Sequence, residues 1–320
     1  MFPILLYGLK KYDERSTYHV LSGHKHTYYR VTYQHTCSLN DEITALYNRF
    51  YKSLNPFDPD STISKINNNR EVVLDDIFVE AFRRSMELAE RTNGMFDPTC
   101  APLINRWGFG FGEGSETISE IKEYVGYEMV DIRNGSIQKA DPRVQLNFSA
   151  IGDGFACDII ARYLDKEGVE NYMVDIGGEI ISKGKNKTGS DWTVGIIKPP
   201  KELVKEQVTQ FETILHMQGR TALATSGNYN NFKVKNGKRY GHSINPLTGY
   251  PTHNQILSAT VITADGTTAD AYATAIMSVE KDRLEELLKT DPSLDYYIIY
   301  KTTSSNYGIK QSQGMKKYTR

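Results

Sequence analysis

Six runs in the second half of the chain decide its fold class. Residues 172–176, 192–197, 221–226, 238–243, 255–263 and 294–301 are rich in β-branched and aromatic side chains and predict strands. Helical spacing interrupts them only near 268–279 and 281–289. The first half has the opposite balance: one strand at 27–34, then helices over 38–54, 76–92 and 153–168. Ile43, Leu46, Tyr47 and Phe50 recur on one face of the first helix, with Ser38 or Asn40 as its N-cap. Acidic residues open the second helix and Gly94 closes it. Ala156, Ile159, Ile160, Tyr163 and Leu164 share a face of the third. Strands gathered apart from helices, without strict βαβ alternation, predict an α+β fold, its mixed sheets flanked by helices.

Composition narrows the function. At about 150 residues per domain, 320 residues make two lobes or one large domain, and no boundary is sharp enough to divide them. Lys+Arg is 38 and Asp+Glu is 39, for a net charge of -1, which lacks the basic excess of a nucleic-acid binder. A hydrophobic share of 39% is enough to build a core. Cys37, Cys100 and Cys157 are scattered, implying neither a disulfide framework nor a zinc site. Residues 1–9 (MFPILLYGL) are apolar but too short to span a bilayer, and Lys10 and Lys11 follow rather than precede them. They predict a strand or an arm packed on the body, with no clear signal and no lipid-accepting cysteine.

Individual motifs are ambiguous. Gly108, Gly110, Gly112 and Gly114 lack the strand before and the helix after that a dinucleotide fingerprint needs, and predict a turn with aromatic plugs. His24 and His26, two apart, share a face if they lie on one strand. Asp270 and Thr274, four apart, place two oxygens on one helix face, as a hard cation requires. On spacing alone an ordinary helix, with Asp270 capping and Thr274 half-buried, explains them better. The run 148–156 (FSAIGDGFA) fits a tight turn into a helix, whose N-terminus also favours an anion. VDIGGE at 174–179, TSGNY at 225–229 and HSINPLTG at 242–249 are each weak alone.

In order along the chain these pieces resemble the ApbE family, the FAD:protein FMN transferases. HTYYRVTY at 26–33 resembles the family's first Gly-Thr strand, and NPFDPDSTISKIN at 55–67 its segment ending in S-x-I-S-x-[IL]-N. GMFDPTCAPLINRWGFG at 94–110 resembles the FDPT…PL…WGFG signature, and LNFSAIGDGFACD at 146–158 the glycine turn before a helix. YMVDIGGEI at 172–180, ALATSGNYNNF at 222–232, RYGHSINPLTGYP at 239–251 and TADAYATAIM at 268–277 complete the set. The resemblance implies a single ApbE-like domain over 20–305 with flavin in a cleft, between an arm at 1–19 and a tail at 306–320. It implies transfer of FMN from FAD to a Thr or Ser hydroxyl of an acceptor protein, with Mg²⁺ as cofactor and AMP released. Carried over by motif, the metal ligands are the backbone carbonyl of Gly152 with Asp270 and Thr274. Flavin contacts fall on Thr27, Phe57, Phe96, Asp97, Asp153, Asp175, Gly177, Gly178 and Ser226, and the catalytic residue is His242.

The chain departs from the family pattern at several of these places. His26 stands for the usual Gly, Phe57 for Tyr, Asn147 and Asn245 for Asp, Gly152 for Ala and Asp153 for Lys. The alternatives are an FAD pyrophosphatase giving FMN and AMP, and a flavin-binding protein without catalysis. The implied acceptor is a subunit of a redox complex, with association at a membrane surface. The implied location is the periplasmic side of a bacterial cell envelope if a signal was removed, and otherwise the cytoplasm.

Overall fold

The computed structural model describes residues 16–112, 114–199, 210–227, 232–235, 238–241, 243–252, 254–303 and 306–319. The apolar run at 1–9 and His242 lie outside them. The order is β1 (Thr17–Lys25), β2 (Thr27–His35), α1 (Asn40–Leu54), α2 (Thr62–Asn67), α3 (Asp76–Arg91), α4 (Ala101–Arg106) and α5 (Ile118–Ile121). Next come β3 (Val130–Arg133), β4 (Ser136–Lys139), α6 (Gly152–Lys166), β5 (Tyr172–Ile176), β6 (Glu179–Lys183), β7 (Trp192–Ile197) and β8 (Phe211–Met217). The chain continues through β9 (Thr221–Gly227), β10 (Phe232–Lys235), β11 (Lys238–Gly241), β12 (Ile256–Thr263), α7 (Gly266–Ser278), α8 (Leu284–Lys289), β13 (Asp295–Lys301) and β14 (Tyr307–Gln311).

Eight strands form one sheet in the order β1-β2-β5-β6-β9-β12-β13-β14, and every neighbouring pair is antiparallel. The α+β expectation holds. β14, inside the tail expected at 306–320, pairs along β13 and forms an edge of the sheet. β9, β12 and β13 feed two cores, because alternate side chains leave opposite faces. Ala222 and Ala224 of β9 and Ala259 and Val261 of β12 face the larger core with α6 and α7. Leu223 and Ile262 face the other way, onto Trp192, Ile196, Leu215 and Met217 of the β7–β8 hairpin.

The helices follow their sequence signals with local corrections. α1 buries Ile43, Tyr47 and Phe50, whereas Leu46 is half-buried. Its N-cap residue is Leu39, which offers no side-chain oxygen, so neither Ser38 nor Asn40 caps it. α3 is capped by Asp75, whose Oδ1 accepts the Phe78 N–H at 2.9 Å. α7 is capped by Asp265, which accepts from Thr268 N–H at 2.9 Å, and not by Asp270. His24 and His26 do not share a strand face. β1 ends at Lys25, and His26 makes the turn into β2 with φ of 62°, a left-handed conformation rare outside glycine.

α7 is buried on nearly all sides, which its alanines allow. It crosses α6 with backbone against backbone. A Cβ on Gly154 would lie 2.2 Å from the Gly266 carbonyl oxygen, and one on Gly266 would lie 2.4 Å from that of Gly154. Asp158 of α6 spans the crossing, accepting the Gly266 N–H at 2.9 Å and the Thr267 N–H at 2.8 Å. By contrast, a Cβ on Gly152 would meet only Phe50 Cζ, at 4.0 Å. Gly154→Ala should therefore destabilise by about 2–3 kcal/mol through overpacking. Gly152→Ala, two residues away, should change stability by less than about 0.5 kcal/mol or raise it slightly. Urea unfolding of the two variants checks this, and equal losses would refute the assignment of the crossing to Gly154.

Candidate active site

Three segments meet at the N-terminus of α6. The β5–β6 turn is made by Gly177 at φ 67° and Gly178 at φ 108°, and a two-residue turn with positive φ at both positions favours glycine. Glycine is also needed for space. A Cβ on Gly177 would lie 2.4 Å from Asp153 Oδ2 and 3.1 Å from Thr27 Oγ1. Thr27, Asp153 and Gly177 are thus in contact. Asp175 stands beside the same turn, close to the Tyr28 hydroxyl and the Gly178 N–H, and among the described residues its buried Oδ1 has no hydrogen-bond partner.

The electrostatics here are unfavourable to a bare protein. Burial pushes Asp153 up to about 6. Glu179 is pushed up by burial and then by the negative charge of Asp153. Asp270 is raised by burial, then by Glu179 and Asp153. Among the described residues its carboxylate has one hydrogen-bond donor, the Gly154 N–H at 3.2 Å from Oδ2. A buried carboxylate among like charges, with one neutral donor, is the environment that a bound cation relieves. Among the described residues no three His, Cys, Asp or Glu side chains are arranged to hold a metal ion. The oxygens near Asp270 form a mixed set instead. Thr274 stands one turn along α7, its Oγ1 3.4 Å from Ser226 Oγ, and Gly152 opens the α6 turn that contains Gly154. Oxygen donors of mixed type suit a hard divalent cation.

Thr274 and Ser226 also line a cavity of about 540 Å³ walled by Phe57, Phe96, Phe109 and Phe111. The glycine-rich stretch supplies two of those rings by wrapping Asn105, whose Oδ1 accepts the Gly112 N–H at 3.1 Å. It is the expected turn with aromatic plugs. Asp97 lines the cavity too, but its oxygens are engaged by Thr99 N–H (2.7 Å), the Thr99 hydroxyl (2.6 Å) and Tyr127 N–H (2.9 Å). It therefore shapes the loop that presents Phe96, and burial pushes its pKa up.

Phe57, Phe96, Asp97, Ser226 and Thr274 thus share the cavity, while Thr27, Asp153, Asp175, Gly177 and Gly178 share the turn beside it. Asp270 and Gly152 belong to the α6–α7 crossing. Two substitutions relative to the family pattern have a local account. Asn245 Oδ1 accepts from Leu247 N–H at 2.9 Å and Thr248 N–H at 3.3 Å, and Asn147 Oδ1 accepts from Ser149 N–H at 2.8 Å. An amide oxygen serves each turn as a carboxylate would. Sequence reasoning passed over Glu179 and Asp158. Glu179 stands within the VDIGGE motif, yet only the fold shows it buried beside Asp153 and Asp270.

This arrangement matches known proteins over most of its length. The FAD:protein FMN transferase of Haemophilus influenzae is 31% identical over 294 residues, covering 88% of this chain and 83% of that protein. The Vibrio cholerae enzyme of the same name is 32% identical over 257 residues, covering 77% and 75%. Among solved structures, the flavin transferase ApbE of Vibrio cholerae superposes with a TM-score of 0.82 at 28% identity, covering 95% of this chain and 99% of that one. An ApbE protein of Thermotoga maritima gives 0.78 at 25% identity, covering 95% and 100%. The ApbE family model matches residues 26–298, and the chain belongs to the ApbE family.

Proposed function

We propose that this chain is a Mg²⁺-dependent FAD:protein FMN transferase that moves FMN from FAD onto a Thr or Ser hydroxyl of an acceptor protein. The observation that carries this is the cavity. Its phenylalanine walls offer flat apolar faces to a planar ring, and Ser226 and Thr274 add hydroxyls to the same lining. Asp270, one turn before Thr274, puts a buried carboxylate within reach of a charged phosphate region.

In the reaction the acceptor hydroxyl oxygen bonds to the phosphorus of the FMN moiety. The bond from that phosphorus to the oxygen bridging to AMP breaks, and AMP leaves with the electron pair. His242 is assigned to take the hydroxyl proton, a task suited to imidazole near neutral pH. That assignment rests on the motif at 242–249. Gly152 through its carbonyl, Asp270 and Thr274 would hold Mg²⁺, which when bound neutralises charge on the pyrophosphate. Ser226 would orient the Thr274 hydroxyl. Thr27, Asp153, Asp175, Gly177 and Gly178 would line the flavin nucleotide from the β5–β6 turn, opposite the rings of Phe57 and Phe96.

The acceptor in this proposal is a subunit of a redox complex, and the enzyme works at the periplasmic face of the cell envelope if a signal was removed, otherwise in the cytoplasm. Among the described residues no helix is long and apolar enough to cross a membrane. Association with a membrane surface would therefore not use such a helix of the described part.

The test combines FAD, Mg²⁺ and an acceptor domain carrying Asp-Gly-x-[Ser/Thr]-Gly-Ala-[Thr/Ser]. Flavin fluorescence on the acceptor band and AMP should appear together. AMP without labelled acceptor would replace the transferase with an FAD pyrophosphatase, and neither product would leave a flavin binder. Asp270→Asn should lower transfer by on the order of 10³-fold. It keeps an acceptor for the Gly154 N–H and removes one of three crowded charges, so the metal-free variant should melt no lower than wild type. His242→Ala should lower transfer by roughly 10²–10⁴-fold, the usual share of a general base.

A further inference from the structure

His26 occupies a backbone conformation that glycine would adopt without strain, and its ring is committed to a specific set of contacts. The imidazole packs against Tyr51 with the rings tilted by 31° and their centroids 5.1 Å apart. Tyr51 donates its hydroxyl to the Lys25 carbonyl at 2.6 Å, tying the end of α1 to the same turn. The imidazole Nε2 lies 3.2 Å from Asn55 Nδ2. Asn55 in turn accepts the Phe57 N–H on Oδ1 at 3.1 Å. The two bonds fix each other. With Oδ1 taken by Phe57, Nδ2 must donate to the histidine, so Nε2 accepts and the ring proton resides on Nδ1.

Phe57 needs such a holder. Its ring is 64% exposed although it forms part of the cavity wall, and it meets Phe111 edge-on at 6.2 Å. A ring so exposed is not located by core packing. Its place is set by the backbone of residues 55–57, which the Asn55 amide braces at Phe57 while the Ser64 hydroxyl donates to the Pro56 carbonyl at 3.2 Å.

We propose that His26 is a positioning residue: through Asn55 it holds Phe57 as one wall of the cavity, against the flat ring of the flavin nucleotide. This rests on the transferase reading of the cavity. It assigns a role to the one turn residue where the chain departs from the family's glycine. The left-handed backbone is offset by the contacts of the ring with Tyr51 and Asn55.

The experiment pairs hydrogen exchange with FAD titration in the absence of Mg²⁺ and acceptor. His26→Gly should leave the melting temperature unchanged or raised, since the turn is relieved. Exchange at the Phe57 amide should quicken about tenfold or more, as its brace is lost. The dissociation constant for FAD, read by flavin fluorescence, should rise about fivefold, within the range for contacting residues. In a Phe57→Ala background the same change should shift it less than about twofold, because the ring it positions is gone. Asn55→Ala should reproduce the exchange and binding effects from the other end of the bond. Unchanged protection at Phe57, or a fivefold loss that persists without the Phe57 ring, overturns the role of His26 and leaves the transferase intact. Wild-type protein that binds no FAD either without or with Mg²⁺ overturns the transferase reading and with it the flavin half of this proposal.

Discussion

The site depends on one contact, the backbone of Gly154 against the backbone of Gly266. Helices normally keep side chains between them, which holds their axes 8–10 Å apart. With no side chain on either helix here, α6 and α7 close to van der Waals contact of their main chains. Two consequences follow directly. The Gly154 N–H, one of the unsatisfied donors of a helix start, reaches Asp270 in the second turn of α7. The Asp158 carboxylate reaches the first two N–H groups of α7 from the side. Each helix thus satisfies donors of the other, and the crossing is locked in both directions.

That closeness has an electrostatic consequence. Asp153, Glu179 and Asp270 are brought into one buried region, where Asp153 raises the pKa of Glu179 and both raise that of Asp270. A fold selected for stability alone would place apolar side chains there, since buried like charges oppose folding. Here the carboxylates persist beside an aromatic cavity, and Thr274 belongs to both regions. The aromatic walls favour a flat apolar ring, while the acidic turn and crossing favour a cation and what the cation binds. A flavin dinucleotide has both kinds of parts, a planar ring and a pyrophosphate, and the juxtaposition fits that chemistry better than either half does.

Strands rich in β-branched and aromatic residues were readable in the sequence. The runs at 172–176 and 192–197 coincide with β5 and with β7 of the separate hairpin, and 221–226, 255–263 and 294–301 fall within a residue of the interior strands β9, β12 and β13. β1 and β14 carried no such signal, since they are the sheet edges and largely solvated. β6 was not among the predicted runs, and its first residue, Glu179, lies within the VDIGGE motif. The i, i+4 pair of Asp270 and Thr274 was visible, yet its isolation from any cap could not be seen until Asp265 was found to cap α7. The run 148–156 fitted a tight turn into a helix, and its Gly154 is where that helix's backbone approaches another helix. Glu179 was silent for a simpler reason: burial beside two other carboxylates is a property of three segments distant in sequence.

The departures from the family pattern divide by what an oxygen must do at each place. At Asn147 and Asn245 the side chain serves as an acceptor for nearby N–H groups, and one oxygen suffices. The lost charge changes the field of the site but not its loops. At Gly152 the structure leaves open space where the family's Ala would put a methyl group, so backbone chemistry there is indifferent to the side chain. At Asp153 the change is of another kind. A carboxylate stands where a Lys is common, which adds negative charge to a region that already holds Glu179 and Asp270. The demand for a compensating cation is therefore greater in this chain than the family pattern alone would require. The substitutions leave the local scaffold of the site in place and shift its charge balance.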